Sequence, residues 1–498
     1  MQEGREEGSG AQGVVGIDLG TTYSVIARPG NGTVEILPVD GDRLCPSVVG
    51  YDDAEGWVVG QRALHRAVFD AEGTVRSVKR AMGSESIYCL GGQAVTPEQV
   101  SARILGWLVD SAERSLGWRP IRAVVTIPAY FNQAQRQATR QAGELAGLEV
   151  LRLLHEPTAA ALAHRPDGGT RQILVYDLGG GTFDVSLVRQ DGALLEVVSS
   201  HGDTRLGGDD FDFRLAERIL YVHTRGDEVR AEAIRRSPTS WLRLLLEAES
   251  AKRRLSTEVE TVARVEFLEV NGGRAEHLEV PVTRSLFESV VQDLLRKTQA
   301  SIDAVLADAR STIADVDEVL LVGGSTRMPS VWHLIQDAYG QEPSRAVHPE
   351  ESVAIGAAIE AGLMAGVRTG RVLVDVCPFS LGTAALVEEA PGRRHMICRT
   401  ITPRNSPIPS RHVERFLAMS ADQERVRAYF FQGGHLDPLE NQCVGSAELA
   451  GIKRRRSEPV PTIHIAFEYN LDGVVEVSLA DGAGLARTAG RFRTDRTS

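Results

Sequence analysis

The chain contains two similar turns that begin with aspartate and are rich in glycine. Residues 17–22 read Ile-Asp-Leu-Gly-Thr-Thr, and residues 176–182 read Tyr-Asp-Leu-Gly-Gly-Gly-Thr. Each turn follows a short, nearly uncharged apolar run, residues 14–17 and 173–176, which is typical of a strand buried on both faces. Glycine lets the backbone approach a ligand closely, so exposed N–H groups can converge on phosphate oxygens.

The aspartates and threonines of these turns suit magnesium and phosphate. Carboxylates hold this hard cation or its waters, and hydroxyls bond phosphate oxygens. A third apolar run, residues 319–322, precedes Gly-Gly-Ser-Thr-Arg at residues 323–327, and no Gly-x-x-x-x-Gly-Lys-(Ser/Thr) run occurs, which excludes a P-loop protein. One such turn alone is equally well explained as a tight hairpin. Its repetition predicts a duplicated α/β domain with a nucleotide between two lobes.

The composition is that of a large globular protein. The chain has 498 residues, of which 42% are hydrophobic and 24% charged, and this size predicts about three compact units. The net charge of -12 argues against a nucleic-acid partner. No apolar stretch approaches the ~20 residues that span a bilayer, so we expect no membrane partner either.

Two further features indicate the cytoplasm. Residues 1–13 begin as an acidic, glycine-rich stretch without a hydrophobic core, which predicts a disordered N-terminal tail rather than a secretion signal. The five cysteines are scattered and form no Cys-x-x-Cys pair. We interpret them as reduced thiols.

Five segments, in order along the chain, resemble the heat-shock protein 70 (DnaK-like) chaperones. They are residues 16–24, 127–132, 156–161, 177–184 and 323–327. Two other segments most resemble the bacterial HscC type within that family, namely residues 78–84 and 375–382. The resemblance implies an actin-like (ribonuclease H-like) ATPase domain of two lobes, followed by an all-β sandwich that binds peptides.

The resemblance also implies domain boundaries. Residues 14–370 would form the nucleotide-binding ATPase domain, 371–376 an apolar interdomain linker, and 377–498 a β-sandwich substrate-binding domain. Alternating apolar and polar residues in segments such as 462–469 favour strands in the last part. The chain stops soon after the expected last strands, so we expect the helical lid of the family to be missing and peptide dissociation to be fast.

The resemblance assigns the catalytic work to Lys79, Glu156, Asp177, Thr182, Asp184 and Asp18. Asp18 and Asp177 would hold Mg²⁺ through water, while Asp184 and Thr182 would help to place the attacking water. Lys79 would contact the γ-phosphate, where a cation stabilises charge on the transferred group. Glu156 would position a magnesium-bound water. Without the resemblance, Lys79 would be interpreted as a solvated lysine and Glu156 as a loop carboxylate.

The other nucleotide-binding residues implied by the resemblance are Gly20, Thr21, Thr22, Tyr23, Gly179, Gly180, Gly181, Gly207, Gly208, Glu249, Lys252, Arg253, Ser256, Gly323, Gly324, Ser325, Arg327 and Glu350. Apolar spacing from Trp241 onward predicts a helix whose charged residues share a face. Without the resemblance, that face would be a solvated stripe. A planar arginine suits stacking on adenine, and Glu350 stands where the family has aspartate. The implied cofactors are ATP or ADP, Mg²⁺ and K⁺.

The sandwich is expected to hold extended hydrophobic peptides through main-chain hydrogen bonds and an apolar pocket. The implied groove residues are Leu381, Thr383, Phe416, Met419, Val426 and Ala428. Ordinary core packing is the alternative for each, and Thr383 replaces a larger aliphatic residue. The implied coupling residues are Pro128, Arg136, Val372, Leu373, Val374 and Asp375, although the last four are equally typical of a buried strand.

The function implied is that of an ATP-dependent chaperone for unfolded proteins, served by a J-domain co-chaperone and a nucleotide exchange factor. Two alternatives stay open. A nucleotide-sensing interaction module would bind ATP without general refolding activity. A sugar kinase of the actin-like superfamily would leave the apolar linker and the β-rich C-terminal part unexplained.

Overall fold

The computed structural model describes residues 13–30, 33–164, 169–271, 274–344, 346–367, 372–390, 393–454, 457–471, 473–482 and 487–491. The chain forms two compact units. The first comprises residues 1–131, 138–195 and 201–372, and the second comprises residues 132–137, 196–200 and 373–498.

The first unit is an α/β structure. Its strands are β1 (Val14–Asp18), β2 (Tyr23–Pro29), β3 (Val34–Leu37), β4 (Cys45–Pro46), β5 (Val49–Asp52), β6 (Gly56–Val59), β7 (Thr74–Val75), β8 (Tyr88–Leu90), β9 (Gln93–Val95), β10 (Arg122–Ile127), β11 (Glu149–His155), β12 (Thr170–Leu178), β13 (Phe183–Asp191), β14 (Leu194–Asp203), β15 (Glu260–Asn271), β16 (Arg274–Thr283) and β17 (Glu318–Val322). Its helices are α1 (Gln61–Ala67), α2 (Pro97–Leu116), α3 (Gln133–Leu145), α4 (Glu156–Ala163), α5 (Gly208–Thr224), α6 (Glu228–Arg236), α7 (Pro238–Leu255), α8 (Arg284–Asp308), α9 (Pro329–Tyr339) and α10 (Ser352–Met364). Short 3₁₀ helices span Val78–Ala81, Ile313–Asp315 and Gly324–Arg327. Residues 133–137 of α3 and 196–200 of β14 belong to the second unit.

Two central sheets repeat one arrangement. In the first, ordered β11-β10-β1-β2-β3, strand β1 is antiparallel to β2 and parallel to β10. In the second, which includes the order β17-β12-β13-β14, strand β12 is antiparallel to β13 and parallel to β17. Each antiparallel pair is joined by one of the two aspartate–glycine turns. This repetition confirms the expected duplicated, actin-like fold.

Helix α10 holds the first of these turns in place by packing closely on β1 and α4. A Cβ added to Gly16 of β1 would lie 2.0 Å from the backbone nitrogen of Ala358 in α10. A Cβ on Gly356 of α10 would lie 1.8 Å from the carbonyl oxygen of Ala159 in α4. Real Cβ atoms do not approach that closely, so glycine at both positions lets the backbones meet.

The second unit is a β-sandwich. Its strands are β18 (Val372–Val376), β19 (Leu381–Ala390), β20 (Arg393–Thr402), β21 (Pro407–Ile408), β22 (Ser410–Leu417), β23 (Arg425–Gln432), β24 (Gln442–Ala450), β25 (Thr462–Tyr469), β26 (Val475–Asp481) and β27 (Arg487–Arg491), with a 3₁₀ helix at Pro438–Glu440. The two four-stranded sheets run β20-β19-β23-β24 and β22-β25-β26-β27. A core that includes Phe430, Phe467 and Leu479 is buried in the sandwich. The predicted all-β architecture is therefore confirmed.

The apolar segment expected to be a linker forms strand β18, which pairs antiparallel with β21. The segment is therefore a strand, but only Asp375 and Val376 of it are buried, and its role as a linker stays a prediction. Residues 1–12 and 368–371, on which the predicted tail and the start of the linker fall, lie outside the described residues, and the domain boundaries stay a prediction. Among the helices that the structure describes, none is both long and apolar enough to cross a membrane.

Candidate functional site

A cavity of about 1250 Å³ lies in the first unit. All three predicted glycine turns contribute to its wall, through Gly20 after β1, Gly179 after β12 and Gly323 after β17. In each sheet the parallel strands, β1 with β10 and β12 with β17, end at one edge, and the turns after β1, β12 and β17 line the cavity. Ligands of α/β proteins bind at such strand ends.

The three turns touch one another. A Cβ added to Gly180 would lie 1.9 Å from the Thr22 hydroxyl oxygen, so the first and second turns are in direct contact. The Ser325 hydroxyl of the third turn donates to the Gly179 carbonyl at 2.9 Å. The three glycine turns, which are far apart in the sequence, therefore form one cradle with room for a phosphate chain.

Asp18 and Asp177 line the cavity, and Asp184 is buried next to Asp177. Asp177 and Asp184 face each other directly across β12 and β13, and Thr126 donates to Asp18 Oδ1 at 2.9 Å. Burial, reinforced by the charge of Glu156, raises the pKa of Asp18 to about 7 and the pKa of Asp184 to about 8. The same causes, with Asp184 added, raise the pKa of Asp177 well above its usual range. Such a cluster is stabilised in its ionised form by added positive charge.

A hydrated magnesium ion fits this donor set. In the part of the chain that the structure describes, no three His, Cys, Asp or Glu side chains are placed to hold a metal ion directly. Mg²⁺ commonly keeps several waters and uses one or two carboxylates together with substrate phosphates. Asp18 and Asp177 both line the cavity beside the glycine turns, which suits contact through water.

Lys79 and Glu156 form a buried ion pair at the cavity wall. Lys79 lies on the 3₁₀ helix Val78–Ala81, and Glu156 is the first residue of α4. Burial lowers the pKa of the Lys79 ammonium, but Glu156 and Asp18 outweigh that effect and its pKa is raised. Lys79 is therefore a fixed positive charge next to the phosphate cradle, rather than a solvated side chain.

Two arginines also line the cavity. Arg253 of α7 donates to the Tyr23 hydroxyl at 3.0 Å, and its guanidinium lies 5.3 Å from the centre of that ring. Arg327 donates to Glu350 Oε2 at 2.8 Å. Helix α7 begins at Pro238, three residues before the predicted start, and Ser256 is its C-terminal capping residue. Both planar cations therefore line the same cavity.

Sequence comparison agrees with this geometry. The family model described as Hsp70 protein matches residues 14–88 and 86–489. The chain belongs to the Hsp70 family. This Hsp70 chain is 43% identical to the Chaperone protein DnaK of Thermotoga neapolitana over 484 residues, 95% of this chain and 79% of that protein.

More distant relatives give the same result. The Chaperone protein DnaK of Thermosipho africanus is 40% identical over 477 residues, which are 94% of this chain and 78% of the relative. The Chaperone protein dnaK of Cyanidioschyzon merolae is 38% identical over 491 residues, which are 93% of this chain and 79% of the relative. The particular similarity to the HscC type stays a prediction.

Most of the predicted nucleotide-site residues of this Hsp70 chain line the cavity. They are Asp18, Gly20, Thr21, Thr22, Tyr23, Lys79, Glu156, Asp177, Gly179, Gly180, Thr182, Gly208, Glu249, Lys252, Arg253, Ser256, Gly323, Gly324, Ser325, Arg327 and Glu350. Their individual roles toward a nucleotide stay predictions.

Three predicted residues do not line the cavity. Gly181 accepts a hydrogen bond from Arg80 Nε at 3.1 Å, and a Cβ on Gly207 would lie 2.6 Å from the backbone of Gly180. These two glycines pack the turns together, and their contact with a ligand stays a prediction. Asp184 is buried, and its Oδ1 accepts from the Tyr130 N–H at 3.2 Å.

Sequence reasoning missed several cavity residues, including Asp209, Asp212, Trp332 and His333. The acidic pair had a local signal. Because α5 begins at Gly208, residues one and four positions later are carried toward the same wall by helical periodicity. Trp332 and His333 lie on α9, just beyond the third glycine turn. Nothing in their spacing in the sequence indicates a ligand site.

The predicted peptide-groove residues fall into different environments of the sandwich. Leu381 and Ala428 belong to its apolar core, and Phe416 and Val426 pack against that core. Thr383 is buried and donates to the Tyr429 carbonyl at 2.8 Å. Met419 is 72% exposed. Leu381 and Ala428 therefore take part in ordinary core packing. A peptide groove made of all six residues stays a prediction.

The predicted coupling residues also differ in burial. Pro128, Arg136 and Asp375 are buried, Leu373 and Val374 are half-buried, and Val372 is exposed. Within the second unit, Arg136 lies beside a turn of the sandwich, because a Cβ on Gly473 would be 2.7 Å from its Nη1 atom. Asp375 Oδ1 accepts from the Val376 N–H at 2.8 Å.

Proposed function

We propose that this Hsp70 chain is an ATP-dependent chaperone that binds exposed hydrophobic segments of unfolded proteins. ATP binding and hydrolysis control its affinity for those segments. One observation carries the proposal: three glycine turns from separate parts of the sequence meet at one cavity that also holds the Lys79–Glu156 pair. Membership of the family, shown over nearly the whole chain, supports the chaperone function.

The phosphate end of the cavity supplies position and charge. Phosphoryl transfer to water needs little covalent chemistry from the protein, since placement and charge neutralisation lower most of the barrier. In the proposed arrangement, Lys79 faces the γ-phosphate and Glu156 fixes the direction of its ammonium group. The hydroxyls of Thr21, Thr22 and Thr182 bond phosphate oxygens.

The acidic residues complete the proposed hydrolytic site. Asp18 and Asp177 would hold Mg²⁺ through water, and the ion would neutralise triphosphate charge when bound. Asp184 would orient the attacking water together with Thr182. Potassium is the further ion that the family resemblance allows.

At the adenosine end, Arg253 and Arg327 would stack on the two faces of adenine. Their existing partners, Tyr23 and Glu350, hold the guanidinium planes in position before the base enters. Arginine suits this role because its guanidinium is planar and weakly hydrated. Glu249 is held by both Arg76 and Arg253, which fixes that carboxylate at the cavity wall.

Communication with the sandwich would run through Pro128, Arg136 and residues 372–375. Nucleotide can control peptide affinity only if the two nucleotide states favour different arrangements of these residues. A J-domain co-chaperone would stimulate hydrolysis, and an exchange factor would speed nucleotide release. The proposed location is the cytoplasm.

The direct test is ATP turnover by the intact chain with and without an extended apolar peptide. The chaperone proposal predicts that turnover rises when the peptide is added, whereas a peptide with its apolar residues replaced by serine has no effect. Phosphorylation of a sugar would identify a kinase instead. Turnover that responds to neither would leave a nucleotide-sensing module.

A further inference from the structure

A second cavity, of about 340 Å³, lies between helices α5 and α6 of the first unit. On α5, Tyr221 follows Glu217 and Arg218 by one helical turn. On α6, Arg235 follows Glu228 by two turns, so one face of each helix forms the wall. Among the described residues, none lines both this cavity and the nucleotide cavity. The volume falls within the range of about 300–1,000 Å³ that is typical of small-molecule sites.

Three of the four charged side chains in this wall are paired with one another. Both oxygens of Glu217 accept from Arg235, at 2.9 Å from Nε and 2.7 Å from Nη2. The remaining nitrogen of Arg235, Nη1, donates to Glu228 at 2.6 Å. These hydrogen bonds raise the pKa of Arg235. The charge of Arg235 is therefore committed to the two carboxylates.

Arg218 is the fourth charged side chain, and it has no such partner. In the part of the chain that the structure describes, its half-buried guanidinium forms no hydrogen bond or ion pair. The central carbon of the guanidinium lies 5.5 Å from the centre of the Tyr221 ring, which holds the group against an aromatic face. Its Nε atom is shielded from water although nothing accepts its proton. A cation that is partly dehydrated and unpaired is costly.

The terminal nitrogens of Arg218 favour a carboxylate as the missing partner. A planar guanidinium offers two parallel N–H groups to a carboxylate, and partial exclusion of water strengthens their attraction. Because Nε is shielded, the ligand must approach the end of the guanidinium. Glu217 and Glu228 lie in the same wall and repel a second negative charge. A singly charged carboxylate is therefore favoured over a doubly charged phosphate.

The rest of the wall suits an apolar ligand body. Ala231 contributes a side chain that is only a methyl group, and Tyr221, 59% exposed, contributes an aromatic ring. The hydrocarbon stems of Glu217 and Arg235 add to this apolar surface. The Thr224 hydroxyl is already used, since it donates to the Leu220 carbonyl at 3.0 Å.

We propose that the cavity between α5 and α6 binds a small monocarboxylate with a flat apolar body, whose carboxylate accepts hydrogen bonds from the terminal nitrogens of Arg218. The ligand supplies the negative charge that this cation lacks in the unliganded chain. Since the two cavities share no lining residue, the site is separate from the nucleotide cavity and does not depend on ATPase activity.

Benzoate is the probe, because it joins one carboxylate to a flat apolar ring. Its binding to the full chain at pH 8 is measured by saturation-transfer NMR of the ligand, with and without saturating Mg·ADP. We expect a dissociation constant of about 1 mM in both conditions. Benzamide, the neutral analogue, should bind at least about 10-fold more weakly. Phenylphosphonate, which carries a second negative charge, should also bind more weakly than benzoate.

Three variants locate the binding site. Arg218→Met removes the charge and should weaken benzoate binding at least about 10-fold. Arg218→Lys keeps the charge but loses the planar pair of donors, so binding should weaken by about 3- to 10-fold. Arg214→Gln, one turn earlier on α5, is the matched control, since Arg214 pairs with Asp293 at 3.0 Å and lies outside the cavity wall. This control should bind benzoate as the wild type does.

The contrary results are equally definite. Absence of binding at about 10 mM benzoate, or its loss when Mg·ADP is added, would overturn the proposed site. Undiminished binding by a folded Arg218 variant would do the same, and Arg218→Lys decides the point if Arg218→Met does not fold. Benzamide or phenylphosphonate that binds as tightly as benzoate would overturn the proposed class of ligand.

Discussion

At the scale of single residues, the site is built from charges held in fixed positions by burial. Lys79, 4% exposed, is paired with Glu156 and surrounded by aspartates. The chain has only four lysines among its 55 basic residues, and two of them, Lys79 and Lys252, line the cavity. A compact ammonium fits these confined positions, which a branched guanidinium would overfill.

Replacing Lys79 by alanine should lower the rate of ATP hydrolysis by about 10²- to 10³-fold, because the preorganised cation that we propose to face the γ-phosphate is removed. Single-turnover measurements with saturating Mg·ATP would report this rate. Lys297→Ala, which removes an exposed lysine from α8, is the matched control and should leave the rate unchanged. Since Glu156 loses its partner in Lys79→Ala, the thermal midpoint of each variant is recorded as well. Unaltered hydrolysis in a folded Lys79→Ala protein would refute the assigned role.

At the scale of elements, the sequence predicted what is local and missed what depends on packing. Glycine turns after apolar strands were readable because the strand, the glycine and the hydroxyl are neighbours along the chain. Trp332 was not, because its place at the cavity depends on the packing of helix α9 and not on its neighbours along the chain. In the sandwich, alternation predicted strands such as β25. It did not reveal that Leu381 and Ala428 face the core.

Gly356 offers a test of element packing. In Gly356→Ala the new methyl would collide with the Ala159 carbonyl, so α10 and α4 must separate. We expect the free energy of unfolding to fall by about 1–3 kcal/mol. Thermal unfolding would show this as a lower midpoint of the unfolding transition that moves when nucleotide is added. Gly106→Ala, in the middle of α2 with no atom within 4 Å of the new Cβ, should instead stabilise by about 0.5–1 kcal/mol. Equal effects of the two substitutions would show that the close helix contact is absent.

At the scale of the whole molecule, the proposed function requires that nucleotide in the first unit changes peptide binding by the second. Pro128 is the proposed relay residue nearest to the site along the chain, since it follows β10, whose Thr126 bonds Asp18. A proline fixes its own backbone and restricts the preceding residue. Because the backbone is stiff at this position, a structural change at the cavity can be transmitted along the chain.

Pro128→Gly should therefore uncouple the two activities: ATP still binds, but ATP-induced release of a fluorescent peptide slows toward the rate seen without nucleotide. Stopped-flow fluorescence of the intact chain measures the release. Pro120→Gly, before the other end of β10, is the matched control and should release peptide at the wild-type rate. Release by Pro128→Gly that matches wild type would remove this residue from the relay.

The convergence of three glycine turns on one nucleotide is tested most directly by calorimetric titration of the intact, folded chain with Mg·ATP, beside Gly180→Val. We predict binding of one nucleotide per chain in the wild type. We predict loss of that binding in the variant, because a side chain at residue 180 would enter the contact with Thr22 and fill the cradle. Absence of nucleotide binding by the wild type, or undiminished binding by Gly180→Val, would contradict the account.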